Sequence, residues 1–129
     1  MVTGKELIYP ELSYKIIGCA YSVHNELGGG RKESAYQNAL FKALIDAKLK
    51  VKQQVYYPIR YKGSLVGKDY LDFLIDECIV VEIKRGHRYP RSYINQVVDY
   101  LKESKLQLAL LINFGDEQVV FKRIVVSNL

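Results

Sequence analysis

The chain has little of the residues that signal disorder, secretion or a membrane. Only three prolines occur in 129 residues, against 49% apolar and 26% charged residues. That balance excludes a disordered chain and describes a globular one. Cysteine is nearly absent. Cys19 and Cys78 lie far apart and flank no second cysteine or clustered histidine, so they read as reduced core thiols of a cytosolic protein. The opening "MVTGKELIYP" has no apolar signal region, and no run approaches membrane-spanning length. The expectation is a cytoplasmic protein without membrane contact. Repeats, low-complexity tracts and linker-like stretches are also missing, so residues 1–129 read as one domain, large enough for a real core. What is present in excess is positive charge. A net +5 and a pI near 9.1 are modest, but they favour a polyanionic partner.

Periodicity divides the chain into eight elements. Leu12, Ile16, Cys19, Val23 and Leu27 recur at helical spacing, which predicts a helix from Glu11 to Leu27. The "GGG" at Gly28 to Gly30 ends it. A second helix over Lys32 to Lys48 carries Tyr36, Leu40, Ala43, Leu44 and Ala47 on one face. Strands follow at Val51 to Tyr61, Gly67 to Ile75 and Cys78 to Arg85, with "YKGS" and "DE" as turns. Pro90 suits the first turn of a third helix running to Ser104. "LQLALLINF", Leu106 to Phe114, is apolar enough for a strand covered on both faces, and "QVVFKRIVV" gives a last strand. The order ααβββαββ predicts an α/β fold, a mixed sheet with helices on both sides.

Three charged residues interrupt the apolar strands. Asp72 lies in "YLDFLI", and Glu82 and Lys84 lie in "IVVEIKR". Buried charges are costly unless paired or bound to a metal. By strand alternation Glu82 and Lys84 share a face with Val80, and Asp72 shares one with Tyr70 and Leu74. A three-residue loop of Asp76, Glu77 and Cys78 sets Asp72 opposite Glu82, with Cβ atoms roughly 4.5–5.5 Å apart. Carboxylates that close repel unless a cation lies between them. A hard divalent ion with oxygen ligands answers this, and Mg²⁺ suits few protein ligands. The plain alternative is an edge-strand ion pair between Glu82 and Lys84.

Asp72 followed by "EIK", Glu82-Ile83-Lys84, resembles the core of the PD-(D/E)xK nuclease superfamily. The order from the second helix onward resembles its restriction-endonuclease-like fold. Leu71 stands where the family's proline would precede the aspartate. "GRKESAY", with Gly30, Glu33 and Tyr36, resembles the signature of the small GxxExxY proteins, as do "VHNELG" and "LINFG". "QVVDY", Gln96 to Tyr100, has the Gln-x-x-x-Tyr spacing of RecB-type members.

The resemblance implies a Mg²⁺- or Mn²⁺-dependent phosphodiesterase acting on nucleic acid, DNA rather than RNA. Asp72, Glu82 and the Ile83 carbonyl would ligate the metal, with Lys84 orienting the attacking water. Glu33 is either a third carboxylate at the metal or a first-turn acid complementing the helix dipole. His24 is either an added metal ligand, as in RecB-type nucleases, or a satisfied core residue. Gln96 and Tyr100, four apart on one helix face beside Tyr93, either orient Lys84 and hold a phosphate or simply pack on the sheet. Arg85, Arg88 and Arg91 in "KRGHRYPR" either bind phosphates or belong to a solvated loop. Two other readings stand beside the enzyme. One is a nuclease-like module that binds nucleic acid or protein without cutting. The other is a homodimeric Holliday-junction-resolvase-like enzyme.

Overall fold

The computed structural model describes residues 8–127. Its elements are α1 (Pro10–Leu27), α2 (Glu33–Asp46), β1 (Val51–Tyr61), β2 (Ser64–Ile75), β3 (Ile79–Arg85), α3 (Arg91–Ser104), β4 (Leu108–Phe114) and β5 (Val119–Val125). The five strands form one sheet in sequence order. β3 and β4 pair in parallel through the α3 crossover, and the remaining pairs are antiparallel.

The expected order ααβββαββ is the observed one, and the boundaries that moved did so for local reasons. β2 starts at Ser64 rather than Gly67 because Lys62 and Gly63 both take positive φ, 49° and 82°. That is the two-residue turn which lets strands pair immediately, and Tyr61 faces Ser64. β4 starts at Leu108 rather than Leu106 because Leu106 closes α3, its N–H bonding the Leu101 carbonyl at 3.1 Å behind the left-handed Lys105. α2 stops at Asp46, since Lys48 turns left-handed and Leu49 bonds back to the Leu44 carbonyl. Pro90 is the residue before α3, not its first turn.

Helices cover both faces of the sheet. α1 and α2 bury Ile16, Ala20, Tyr36, Leu40 and Leu44 against Phe73, Ile75, Val81, Ile83, Leu110 and Ile112. α3 buries Val97 and Leu101 against Leu71, Leu74, Val80, Ala109 and Leu111. Burying such side chains contributes about 1.5–3 kcal/mol each, so β3 and β4, apolar on both sides, anchor the fold.

β2 departs from strict alternation. Leu74 faces α3 and Phe73 faces α1 and α2, yet Leu71 faces α3 as well. The side-chain order therefore slips at Asp72. Opposite it on β1, Gln54 takes a left-handed φ of 53°, and no ladder pair joins the two residues although Gln53 and Val55 pair on either side. Tyr70 pairs with Tyr56 and points away from α3. The expectation that Asp72, Tyr70 and Leu74 share one face is corrected by this slip. No helix among the described residues is long and apolar enough to cross a membrane.

Candidate active site

β2 and β3 pair only through Phe73–Val81, Leu74–Val80 and Ile75–Ile79. The register, set by the loop at Asp76, Glu77 and Cys78, runs on to put Asp72 level with Glu82, but the ladder stops there. Two crossed hydrogen bonds replace it. The Asp72 N–H donates to Glu82 Oε1 at 2.5 Å, and the Ile83 N–H donates to Asp72 Oδ2 at 2.8 Å. Each carboxylate thus satisfies a backbone donor on the opposite strand, which holds both in the gap where the strands part. N–H and C=O of one strand residue face the same neighbour, so the Ile83 carbonyl faces this gap too.

Burial and mutual repulsion mark the pair electrostatically. Glu82 is 5% exposed, and burial together with the Asp72 charge pushes its carboxyl up to about 8. Burial raises Asp72 to about 6, against the Ile83 N–H, which favours the charged form. In neutral solution without a cation, the two acids favour retaining a proton between them.

α2 closes the gap from its side. Gln37 Nε2 donates to Asp72 Oδ1 at 3.3 Å. Glu33, one turn earlier, accepts the Arg85 N–H at 3.3 Å and stands 3.9 Å from the Lys84 ammonium. From α3, the Tyr93 ring lies under that ammonium, 4.0 Å to its centroid. Burial alone would lower the Lys84 pKa, but Tyr93, Glu33 and Glu82 together raise it. Lys84 stays charged, two residues along β3 from Glu82.

Tyr89 braces the floor. Its buried hydroxyl lies 2.5 Å from the Glu82 carbonyl and 2.8 Å from that of Ile112. Burial raises its pKa, with the Glu82 charge adding to the effect, so it remains a neutral donor. Gln37 and Tyr89 escaped sequence reasoning. The spacing of Gln37, four residues after Glu33 on one helix face, could have found it; nothing local marks Tyr89.

The other predicted residues stand elsewhere. His24 is buried, and its Nε2 lies 2.7 Å from the Gly115 carbonyl. A carbonyl only accepts, so this nitrogen carries the proton and its lone pair is unavailable to a metal. Gly115 lies four residues beyond Leu111, the β4 partner of Glu82, about 13 Å along the strand. Tyr100 meets Tyr57 edge-on at 6.1 Å, and no hydrogen bond ties it or Gln96 to the carboxylates. Arg85, Arg88 and Arg91 are exposed.

The glycine and tyrosine of "GRKESAY" serve to aim Glu33. Gly30 turns with φ +79°. The Tyr36 hydroxyl donates to the Gly28 carbonyl at 2.7 Å and accepts the Arg31 N–H at 3.2 Å, while its ring stacks on Phe114 at 4.5 Å. A Cβ on Gly29 would meet the Asp116 carbonyl oxygen at 2.0 Å. The α1–α2 turn is therefore clamped onto the β4–β5 turn, and α2 starts in a fixed place.

The donor set fits a hard divalent cation: two carboxylates and a carbonyl converge on the strand gap, as Mg²⁺ prefers. Among the described residues no three His, Cys, Asp or Glu side chains converge on one point, so waters or substrate would fill the remaining shell.

No curated protein matches this chain. The solved structure described as "Crystal structure of SSO0001" is similar, with a TM-score of 0.57 and 18% identity over 93% of this chain and 61% of that one. At that identity the likeness shows the fold alone, and the chain spans 61% of that protein's length. A family model for the PD-(D/E)XK nuclease superfamily matches residues 10–124, nearly the whole described chain. With the mixed sheet, the parted strands and the carboxylates set between them, this chain belongs to the PD-(D/E)XK nuclease superfamily.

Proposed function

We propose that the protein is a Mg²⁺- or Mn²⁺-dependent nuclease that hydrolyses phosphodiester bonds, with DNA as its preferred substrate and the cytoplasm as its place of action. The observation that carries this is the meeting of Asp72 and Glu82 in the strand gap with Lys84 two residues on. Asp72, Glu82 and the Ile83 carbonyl are the proposed metal ligands. A bound divalent ion would acidify a water and offset charge developing on the phosphate.

The chain's own groups do the rest. Gln37 and the Ile83 N–H fix the Asp72 carboxylate. Tyr93 and Glu33 aim the Lys84 ammonium, which orients the attacking water or adds positive charge at the phosphate. Glu33 reaches the site through Lys84 and the Arg85 backbone, and so acts in this reading as a positioning residue. His24 acts as a brace on the Gly115 turn. Arg85, Arg88 and Arg91, leaving β3 on the exposed side, supply phosphate contacts. Gln96 and Tyr100 on α3 serve packing beyond Tyr93.

The test is incubation with single-stranded, duplex and branched DNA and with RNA, each with Mg²⁺, Mn²⁺ or EDTA. Cutting that requires the metal and is lost in Asp72→Asn supports the reading. Cutting unchanged in EDTA removes the metal from it, and no cutting of any substrate leaves a nuclease-like binding module.

A further inference from the structure

β1 and β2 are much longer than their neighbours. They run 11 and 12 residues, whereas β3, β4 and β5 have 7 each. Because β2 leaves β3 after Phe73, the segments Val55–Tyr61 and Ser64–Leu71 pair only with each other. They form a ribbon that begins at Asp72 and extends for eight residues, about 26 Å at 3.3 Å per residue.

The ribbon is covered on one side only. Tyr57 is buried and packs on Tyr100 of α3, and Val55 and Leu71 join the α3 core. On the opposite side, Tyr56 faces Tyr70 and Pro58 faces Lys68. The two tyrosine rings meet edge to face at 6.1 Å, yet remain 47% and 42% exposed. Towards the tip, Tyr61, Leu65 and Val66 are exposed as well, and so is Ile59, which strand alternation sets on the Tyr57 side. Large apolar groups clustered at a surface mark a binding face. Its charge indicates what binds: Lys62 and Lys68 are exposed cations, the ribbon's one acid, Asp69, pairs with Tyr57 on the α3 side, and Arg60 lines a cavity with Asp99, Lys102 and Glu103 of α3. Aromatic platforms interleaved with cations suit a single strand, whose unstacked bases lie on the rings while the phosphates meet the cations. An intact duplex hides its base faces.

We propose that the β1–β2 ribbon is the substrate grip of this protein, with Tyr56 and Tyr70 stacking on unpaired bases beside the carboxylates and Lys62 and Lys68 holding the strand's phosphates. The substrate class is single-stranded or locally unpaired nucleic acid. This deepens the nuclease reading and rests on it for the reacting centre. Tyr70 stands two residues from Asp72, so a base on it brings its own phosphate to the strand gap.

The test separates grip from chemistry by measuring binding in EDTA. Fluorescein-labelled oligo(dT) and a labelled duplex hairpin are titrated with wild type, Tyr56→Ala/Tyr70→Ala and Tyr56→Phe/Tyr70→Phe, each first shown to melt like wild type. The alanine pair should weaken oligo(dT) binding about tenfold or more and change duplex binding less than twofold, and the phenylalanine pair should retain wild-type affinity. Equal losses on both probes, no loss on either, or no oligo(dT) binding by wild type would each overturn the proposal. A wild-type dimer in gel filtration that Leu65→Ser/Val66→Ser converts to monomer, with oligo(dT) binding unchanged, would assign the face to a second copy and overturn it too. Asp72→Asn should bind oligo(dT) at least as tightly as wild type. If Asp72→Asn still cuts while the alanine pair loses binding, the grip stands and the nuclease assignment of the carboxylates falls.

Discussion

The two halves of the β2–β3 hairpin are built from adjacent residues and do opposite things. From Phe73 to Val81 around the turn, the strands satisfy each other's backbone groups and bury Phe73, Ile75, Ile79 and Val81 completely. One residue further, at Asp72 and Glu82, the ladder ends and side-chain carboxylates take over the backbone donors. The first half devotes its sequence to packing. The second holds two acids at a separation at which they repel, a cost that only the rigid first half makes tolerable.

Substitutions should separate the halves sharply. Phe73→Ala should cost about 3–5 kcal/mol, a large part of a domain's stability, read as a much lower denaturant midpoint. Asp72→Asn and Glu82→Gln should leave the fold intact or more stable, because each removes a like charge, yet weaken Mn²⁺ binding and abolish cutting. Calorimetry with unchanged Mn²⁺ affinity in both variants would erase the distinction.

Lys84→Ala should also abolish cutting, but with Mn²⁺ affinity nearly intact, since an ammonium is not a ligand. Joint loss of stability and metal binding would instead place Lys84 with the packing half, as the ion-pair partner of Glu33.

The pH dependence of the metal-free fold sharpens the comparison further. Asp72 and Glu82 titrate at about 6 and about 8 in the fold, above their unfolded values near 4. An acid with a raised folded pKa favours the fold in its protonated form. That contribution is fully present below about pH 4 and is lost as pH rises through 6 and then 8. Thermal melts in EDTA should therefore fall between pH 5 and pH 9, and the fall should shrink in Glu82→Gln. Equal slopes in both proteins would show that the pair is not buried as a repelling couple.

Tyr89→Phe removes one hydroxyl from the Glu82 and Ile112 carbonyls and should cost about 1 kcal/mol. Activity should fall more than this if the brace sets the height of β3. The smallest expected effect lies outside the hairpin. Changing Arg85, Arg88 and Arg91 together to alanine should lower the salt slope of nucleic-acid binding by about one unit for each phosphate no longer neutralised. Mn²⁺ affinity should not change. An unaltered slope would leave binding to other surfaces, the β1–β2 ribbon first among them.

Much of this organisation is legible in the chain. The spacing of Leu12, Ile16 and Val23, the apolar run of β4 and the Lys62–Gly63 turn each reflect local chemistry, and the elements form in the order that these signals predict. The level of Asp72 with Glu82 is also readable, because a three-residue loop fixes register arithmetically. The slip at Asp72 is not. Gln54 carries no mark of a left-handed backbone, and alternation puts Tyr70 on the wrong face. His24 reads as a core residue first and a ligand second, and its bond to Gly115, 91 residues away, is visible only in the fold.

The sequence by itself determined the element types, the loop register and the residue chemistry of the site, since turn geometry, helical period and side-chain acidity are properties of neighbouring residues. The tertiary structure alone decided that the ladder stops at Asp72, that Gln37 and Tyr89 complete the site, and that Tyr56 and Tyr70 remain uncovered. Each of these depends on which distant backbone group is left unpaired, and that is settled only when the sheet closes against its helices.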